Sequence, residues 1–103
     1  MTITGYFNRK SAYDIELAAS VYEPSSGRYL EVLTDQPGLQ FYGGNFFNGS
    51  GKGKYNPTID YREALALETQ KFPDSPNQPN FPSTRLNPDE TYRHTCIYKF
   101  SIK

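Results

Sequence analysis

Tryptophan is missing from this chain of 103 residues, and cysteine, histidine and methionine occur once each. A lone Cys96 excludes an internal disulfide framework, and a lone His94 removes the ligand set of a zinc site built on Cys/His spacing. Net charge is absent too. Lysine and arginine total 11, as do aspartate and glutamate, so no field favours nucleic acid, an anionic membrane or a strongly charged substrate. A neutral small molecule is the partner class that fits. No apolar run approaches membrane-spanning length, and Met1-Thr2-Ile3-Thr4-Gly5-Tyr6 lacks the basic start and apolar stretch of a signal peptide. The expectation is a soluble, metal-free, cytoplasmic protein, the location being a default that a missing upstream targeting segment would change. The length suits one unit with a modest core.

What the chain does have is aromatic: nine tyrosines and seven phenylalanines, residues that favour strands and also line sugar or base sites. Period-two alternation runs through Ile15, Leu17, Ala19 and Val21 and resumes at Leu30, Val32 and Thr34. The intervening Pro24-Ser25-Ser26-Gly27 reads as the turn of a β-hairpin. Pro37-Gly38 breaks the chain before a third strand, Leu39-Gln40-Phe41-Tyr42. From Gly43 to Lys54 lie five of the eight glycines, a composition that predicts a flexible surface loop. Arg62 to Gln70 fits strand or helix equally. Prolines at 73, 76, 79 and 82 recur every third position and predict an extended, polyproline-like loop. Tyr92, His94, Cys96, Tyr98, Phe100 and Ile102 alternate with mostly polar residues, the clearest strand in the sequence. Strands joined by turns, with no long helix, predict an all-β sandwich or a piece of one.

Glu68 stands out because a carboxylate among Leu65, Ala66 and Leu67 would be partly desolvated and so a better base. On a strand, though, it faces away from Leu65 and Leu67, as a solvated outer residue would. Gln40, between Leu39 and Phe41, is a neutral amide able to hydrogen-bond a sugar hydroxyl or water. His94 would complete a Glu–His acid/base pair, but its apolar neighbours suit a structural histidine better. Cys96 reads as a small hydrophobe, which disfavours a Cys/His hydrolase. The proline triplets could dock an SH3-type groove if exposed and mobile, but between apolar strands they read as structural.

Several stretches in order, covering almost everything from about Asp14 to Ile102, carry recognisable motifs. They are Val21-Tyr22-Glu23-Pro24-Ser25-Ser26-Gly27-Arg28, then Leu30 through Thr34-Asp35-Gln36-Pro37-Gly38-Leu39-Gln40-Phe41-Tyr42, then Gly44-Asn45-Phe46. The most specific is Ala66-Leu67-Glu68-Thr69-Gln70-Lys71-Phe72-Pro73-Asp74 running on to Asn80-Phe81-Pro82, followed by Glu90-Thr91-Tyr92 and the strand ending near Phe100. Together these stretches resemble the aldose 1-epimerase (galactose mutarotase) family, and the resemblance implies that residues 1–103 form the C-terminal portion of an epimerase domain, part of a galactose mutarotase-like antiparallel β-sandwich. It implies an aldose sugar as substrate, no cofactor, Glu68 of the Leu-Glu-Thr-Gln motif as general base, and Gln40 of the Pro-Gly-Leu-Gln-Phe-Tyr motif as a sugar-binding amide. The family's acid histidine and an aspartate of a Gly-Tyr-Asp-His-like motif lie upstream. Here Gly5-Tyr6 is followed by Phe7-Asn8. A mutarotase carrying the base without the acid, and a non-catalytic sugar-binding or structural remnant, are therefore the two functional expectations. A piece of a sandwich would also expose strand edges that invite self-association.

Overall fold

The computed structural model describes residues 1–5, 14–55 and 57–103. Six strands carry the described fold: β1 (Thr2–Gly5), β2 (Glu16–Glu23), β3 (Arg28–Thr34), β4 (Gly38–Tyr42), β5 (Ala66–Gln70) and β6 (Cys96–Ile102). All pairings are antiparallel. β1, β2, β3 and β6 form one sheet in that order, and β4 and β5 form a two-stranded ribbon. Among the described residues no helix is long and apolar enough to cross a membrane. The all-β expectation holds, and Arg62 to Gln70 resolves as strand over Ala66–Gln70.

The β2–β3 hairpin closes as its sequence predicts, and Glu23 shows why. Its carboxylate accepts the Ser25 and Ser26 backbone N–H groups, both at 2.9 Å, and the two serine hydroxyls as well. These four bonds, led by the Ser25 hydroxyl, hold the Glu23 carboxyl at about 2, well below the ordinary glutamate range. Gly27 follows at φ 70°, and an added Cβ there would meet the Lys103 carbonyl at 3.0 Å, so glycine suits the position.

One sheet face packs against the ribbon. Ala19, Val21 and Val32 from the sheet and Leu67 from β5 form the buried apolar core, with Ile3, Leu30, Leu39, Leu65 and Cys96 packed around it. Two antiparallel layers about a shared apolar interior are part of a β-sandwich. Cover is partial: on β6, Phe100 is 77% and Ile102 83% exposed, although both sit on a strand paired along its length with β3.

The structure adds to or departs from the sequence expectations in four places. The β2–β3 register runs Leu17↔Leu33 and then Ala19↔Val32, so Ala18 is an extra residue. This bulge puts Leu17 and Ala19 on opposite faces, and the apolar row expected from Ile15 to Val21 is split. The last strand begins at Cys96, not Tyr92. Thr95 gives its N–H to the Asp35 carboxylate at 3.0 Å, and its carbonyl accepts both the Asp35 N–H at 3.3 Å and the Thr34 hydroxyl at 2.8 Å. A side chain thus takes the donor that would have continued the ladder. The proline segment is folded into turns and is not extended. Pro76 sits at the start of a short 3-10 helix, Ser75–Asn77, after Asp74 at φ 60°, and the Phe72 and Phe81 rings meet at 5.1 Å across it. Finally, the glycine-rich stretch doubles back on residues 57–59. Gly49 N–H donates to Ile59 O, Ile59 N–H to Gly51 O and Gly53 N–H to Pro57 O, so this surface loop is laced by its own backbone. The Tyr6-Phe7-Asn8 departure lies outside the described residues.

Candidate active site

In the ribbon, Gln40 is the direct partner of Glu68, flanked by Leu39↔Thr69 and Phe41↔Leu67. Residues opposite each other in an antiparallel pair share a face and bring their Cβ atoms to about 5 Å. Alternation then sorts the ribbon. Leu67 and Thr69 are buried, whereas Gln40 and Glu68 are exposed, so the amide and the carboxylate stand side by side on the open face. Leu67 points to the other side of the strand and Ala66 shares the Glu68 face, while a cleft of about 420 Å³ lined by Leu30, Leu65, Leu67, Tyr98 and Phe100 runs beside the carboxylate, which is itself exposed. Gln40 Nε2 donates to the carbonyl of Phe41 at 3.1 Å. Together the two side chains offer a hydroxyl-rich ligand a neutral donor and acceptor beside an anionic acceptor.

Two steps along the same face from Gln40 is Tyr42. Its ring stacks on Phe46, with centroids 6.3 Å apart and planes 12° off parallel, and its hydroxyl accepts the Phe46 N–H at 3.0 Å. Phe46 is 86% exposed. Beside them Arg62 Nε donates to Asn45 Oδ1 at 3.0 Å. A cleft of about 680 Å³ opens among Phe41, Tyr42, Asn45, Phe46, Arg62 and Glu63. An aromatic platform with a few fixed polar groups is a common composition for small-ligand sites. The sequence reading singled out none of these residues for chemistry. Carrying the period of two onward from Gln40 to Tyr42 would have reached the platform.

Behind the ribbon the arrangement is polar and closely tied. Tyr98 donates its hydroxyl to the Leu67 carbonyl at 2.6 Å, and His94 Nε2 lies 2.8 Å from the Thr69 hydroxyl. Partial burial, then the Cys96 thiol, then the charge of Glu68 push the Tyr98 phenol above its usual range. Desolvation is the largest influence on Asp35 and pushes its carboxyl up. Hydrogen bonds from the Gln36 side chain and the Thr95 N–H, with the His94 charge, outweigh it and leave Asp35 below the usual range. Because Thr69 and Glu68 are adjacent in a strand, their side chains point to opposite sides. His94 therefore sits across the ribbon from the Glu68 carboxylate, and no Glu–His pair forms. Cys96 is a free, half-buried thiol at the edge of the core. Among the described residues no three of His, Cys, Asp and Glu gather as a metal site would require.

A family model described as aldose 1-epimerase matches residues 6–99. The chain belongs to the aldose 1-epimerase family. Similar proteins within it include galactose mutarotase of Mus musculus, 48% identical over 96 residues, and that of Homo sapiens, 46% identical over 96 residues. Each alignment takes in 93% of this chain and 28% of the relative. Aldose 1-epimerase of Escherichia coli (strain K12) is 39% identical over 87 residues, which are 82% of this chain and 25% of that protein. This epimerase-family chain thus spans little more than a quarter of the length of the relatives it matches, and its alternating strands belong to a mutarotase-type antiparallel sandwich.

Proposed function

We propose that this chain is the C-terminal portion of an aldose 1-epimerase and carries the general-base half of its site. The reaction interconverts the α and β anomers of a hexose such as glucose or galactose. Glu68 accepts the proton of the anomeric hydroxyl as the C1–O5 bond breaks, and an acid elsewhere protonates O5. The open-chain aldehyde that results turns about C1–C2, and reclosure on the other carbonyl face returns both protons. Gln40, beside Glu68, hydrogen-bonds the sugar hydroxyls and holds C1 against the carboxylate. The observation that carries this reading is the direct pairing of Gln40 with Glu68 on the exposed face of the ribbon, in a chain of this family. No step requires a cofactor.

A second reading is a non-catalytic sugar-binding or structural remnant, and the position of His94 favours it. The only histidine of the chain is engaged with Thr69 behind the ribbon and does not face Glu68. Polarimetry on freshly dissolved α-glucose and α-galactose separates the two, with a Glu68→Gln variant and a buffer blank in parallel. Acceleration by the wild-type chain that is lost in Glu68→Gln supports a self-sufficient epimerase. No acceleration by the chain alone, but a Glu68-dependent rate once an upstream epimerase segment is supplied, supports the half-site. Sugar binding with no rate in either setting supports the remnant.

The partial cover of the sandwich also bears on assembly. Tyr98, Phe100 and Ile102 leave an apolar row on β6, which is an edge strand, and such edges pair with other chains. The chain by itself is expected to self-associate. Sedimentation showing a monodisperse monomer that unfolds cooperatively would overturn that expectation.

A further inference from the structure

A two-stranded ribbon is marginal on its own in water, and slipping its register by one residue would carry Glu68 to the other face. Something must therefore fix β5. The two residues that flank Glu68 are each bound by a side chain from β6 or the stretch just before it: the Leu67 carbonyl by the Tyr98 hydroxyl at 2.6 Å, and the Thr69 hydroxyl by His94 Nε2 at 2.8 Å. Leu67 and Thr69 are buried, at 5% and 9% exposure, and both bonds are part-buried, which limits competition from water. The two anchors differ in kind. One grips the main chain and the other a side chain, which together fix both the position of β5 and the facing of its residues.

We propose that Tyr98 and His94 are positioning residues for Glu68, holding β5 through Leu67 and Thr69 so that the carboxylate stays on the Gln40 face. Each acts through the neighbour it holds, Tyr98 through the Leu67 carbonyl and His94 through the Thr69 hydroxyl. This rests on Glu68 and Gln40 forming the sugar site. Its geometric content is independently measurable in the absence of sugar.

The test uses amide hydrogen exchange by NMR on the whole chain, comparing wild type with Tyr98→Phe, His94→Ala and His94→Gln. Tyr98→Phe keeps the ring and removes only the hydroxyl, so the sheet is retained. Loss of one such bond corresponds to roughly fivefold faster exchange, expected in β4 and β5 with the β2 and β3 amides unchanged. His94→Gln, whose carboxamide can still reach a hydroxyl, is expected to recover most of the protection that His94→Ala loses. Unaltered ribbon exchange in Tyr98→Phe and His94→Ala would overturn the proposal, and so would equal acceleration in β2 and β3, which would mark a general loss of stability. Adding galactose separates this from the site itself. In wild type it should shift the Gln40 and Glu68 resonances, and in Tyr98→Phe the same shifts should need more sugar. Absence of any galactose response in wild type would sink the sugar site while leaving the clamp to be judged by exchange alone.

Discussion

The four-stranded sheet and the two-stranded ribbon are held by different means. Among the described residues, the sheet contributes three of the four buried apolar side chains, Ala19, Val21 and Val32, and the ribbon contributes Leu67. In the ribbon, polar bonds from residues 94–98 supplement Leu67 and the partly buried Leu39. The sheet is thus a conventional apolar layer, while the ribbon, which bears Gln40 and Glu68, relies on fewer apolar contacts together with polar attachments. Candidate chemistry sits on the less well-anchored part, where small changes in attachment alter which groups face the ligand.

The strongest challenge to this contrast is Leu67→Ala. Emptying a buried leucine site costs about 3 kcal/mol, expected as a lower urea midpoint with ribbon amides exposed first; equal loss across both units would erase the distinction. Val32→Ala, at 0% exposure in the middle of the sheet, is expected to cost on the order of 2 kcal/mol and to lower the whole transition with no preference for the ribbon. Gly44→Ala tests the end of the ribbon. Gly44 has φ 72°, and an added Cβ would lie 2.5 Å from the Ala64 carbonyl, so a loss of more than about 1 kcal/mol is expected. A neutral result there would mean the ribbon end adjusts freely.

The smallest effect belongs to the sheet's own turn. Glu23 has its carboxyl lowered to about 2 in the folded chain, so its turn bonds favour folding above the ordinary glutamate range. That contribution fades as pH falls toward 2. The group is exposed and solvent screens it, so the sharp readout is its own carboxyl ¹³C titration. A midpoint near the ordinary glutamate value would show that the Ser25 and Ser26 bonds do not persist in solution.

Much of the sheet was legible because local chemistry decided it. Pro24 to Gly27 marked the hairpin, and alternation marked β3 and most of β6. What escaped was set at a distance. The bulge at Ala18 depends on how β2 meets β3, the start of β6 depends on an Asp35 carboxylate 60 positions away from Thr95, and β1 is four residues long with little pattern to show. The proline segment misled because period-three proline suits an extended chain, while Asp74 gathers the side-chain amides of Asn77 and Gln78 and bends it into turns. At the site, the residues could be named from sequence motifs but their opposition could not. It is a matter of register between two strands, in which Gln40 meets Glu68 across 28 positions of chain, and nothing in either segment specifies its partner.

The Gly44 carbonyl accepts the N–H groups of both Phe47 and Arg62, drawing together the two ends of the excursion between β4 and β5. The route taken by the intervening residues is thereby uncoupled from the placement of Gln40 against Glu68. Loop entropy grows slowly, about 0.6 kcal/mol for each doubling of length. The stretch from Asn48 to Ile59 is therefore the place where this chain can accept insertions, deletions or a grafted reporter without retuning the pair that faces the ligand.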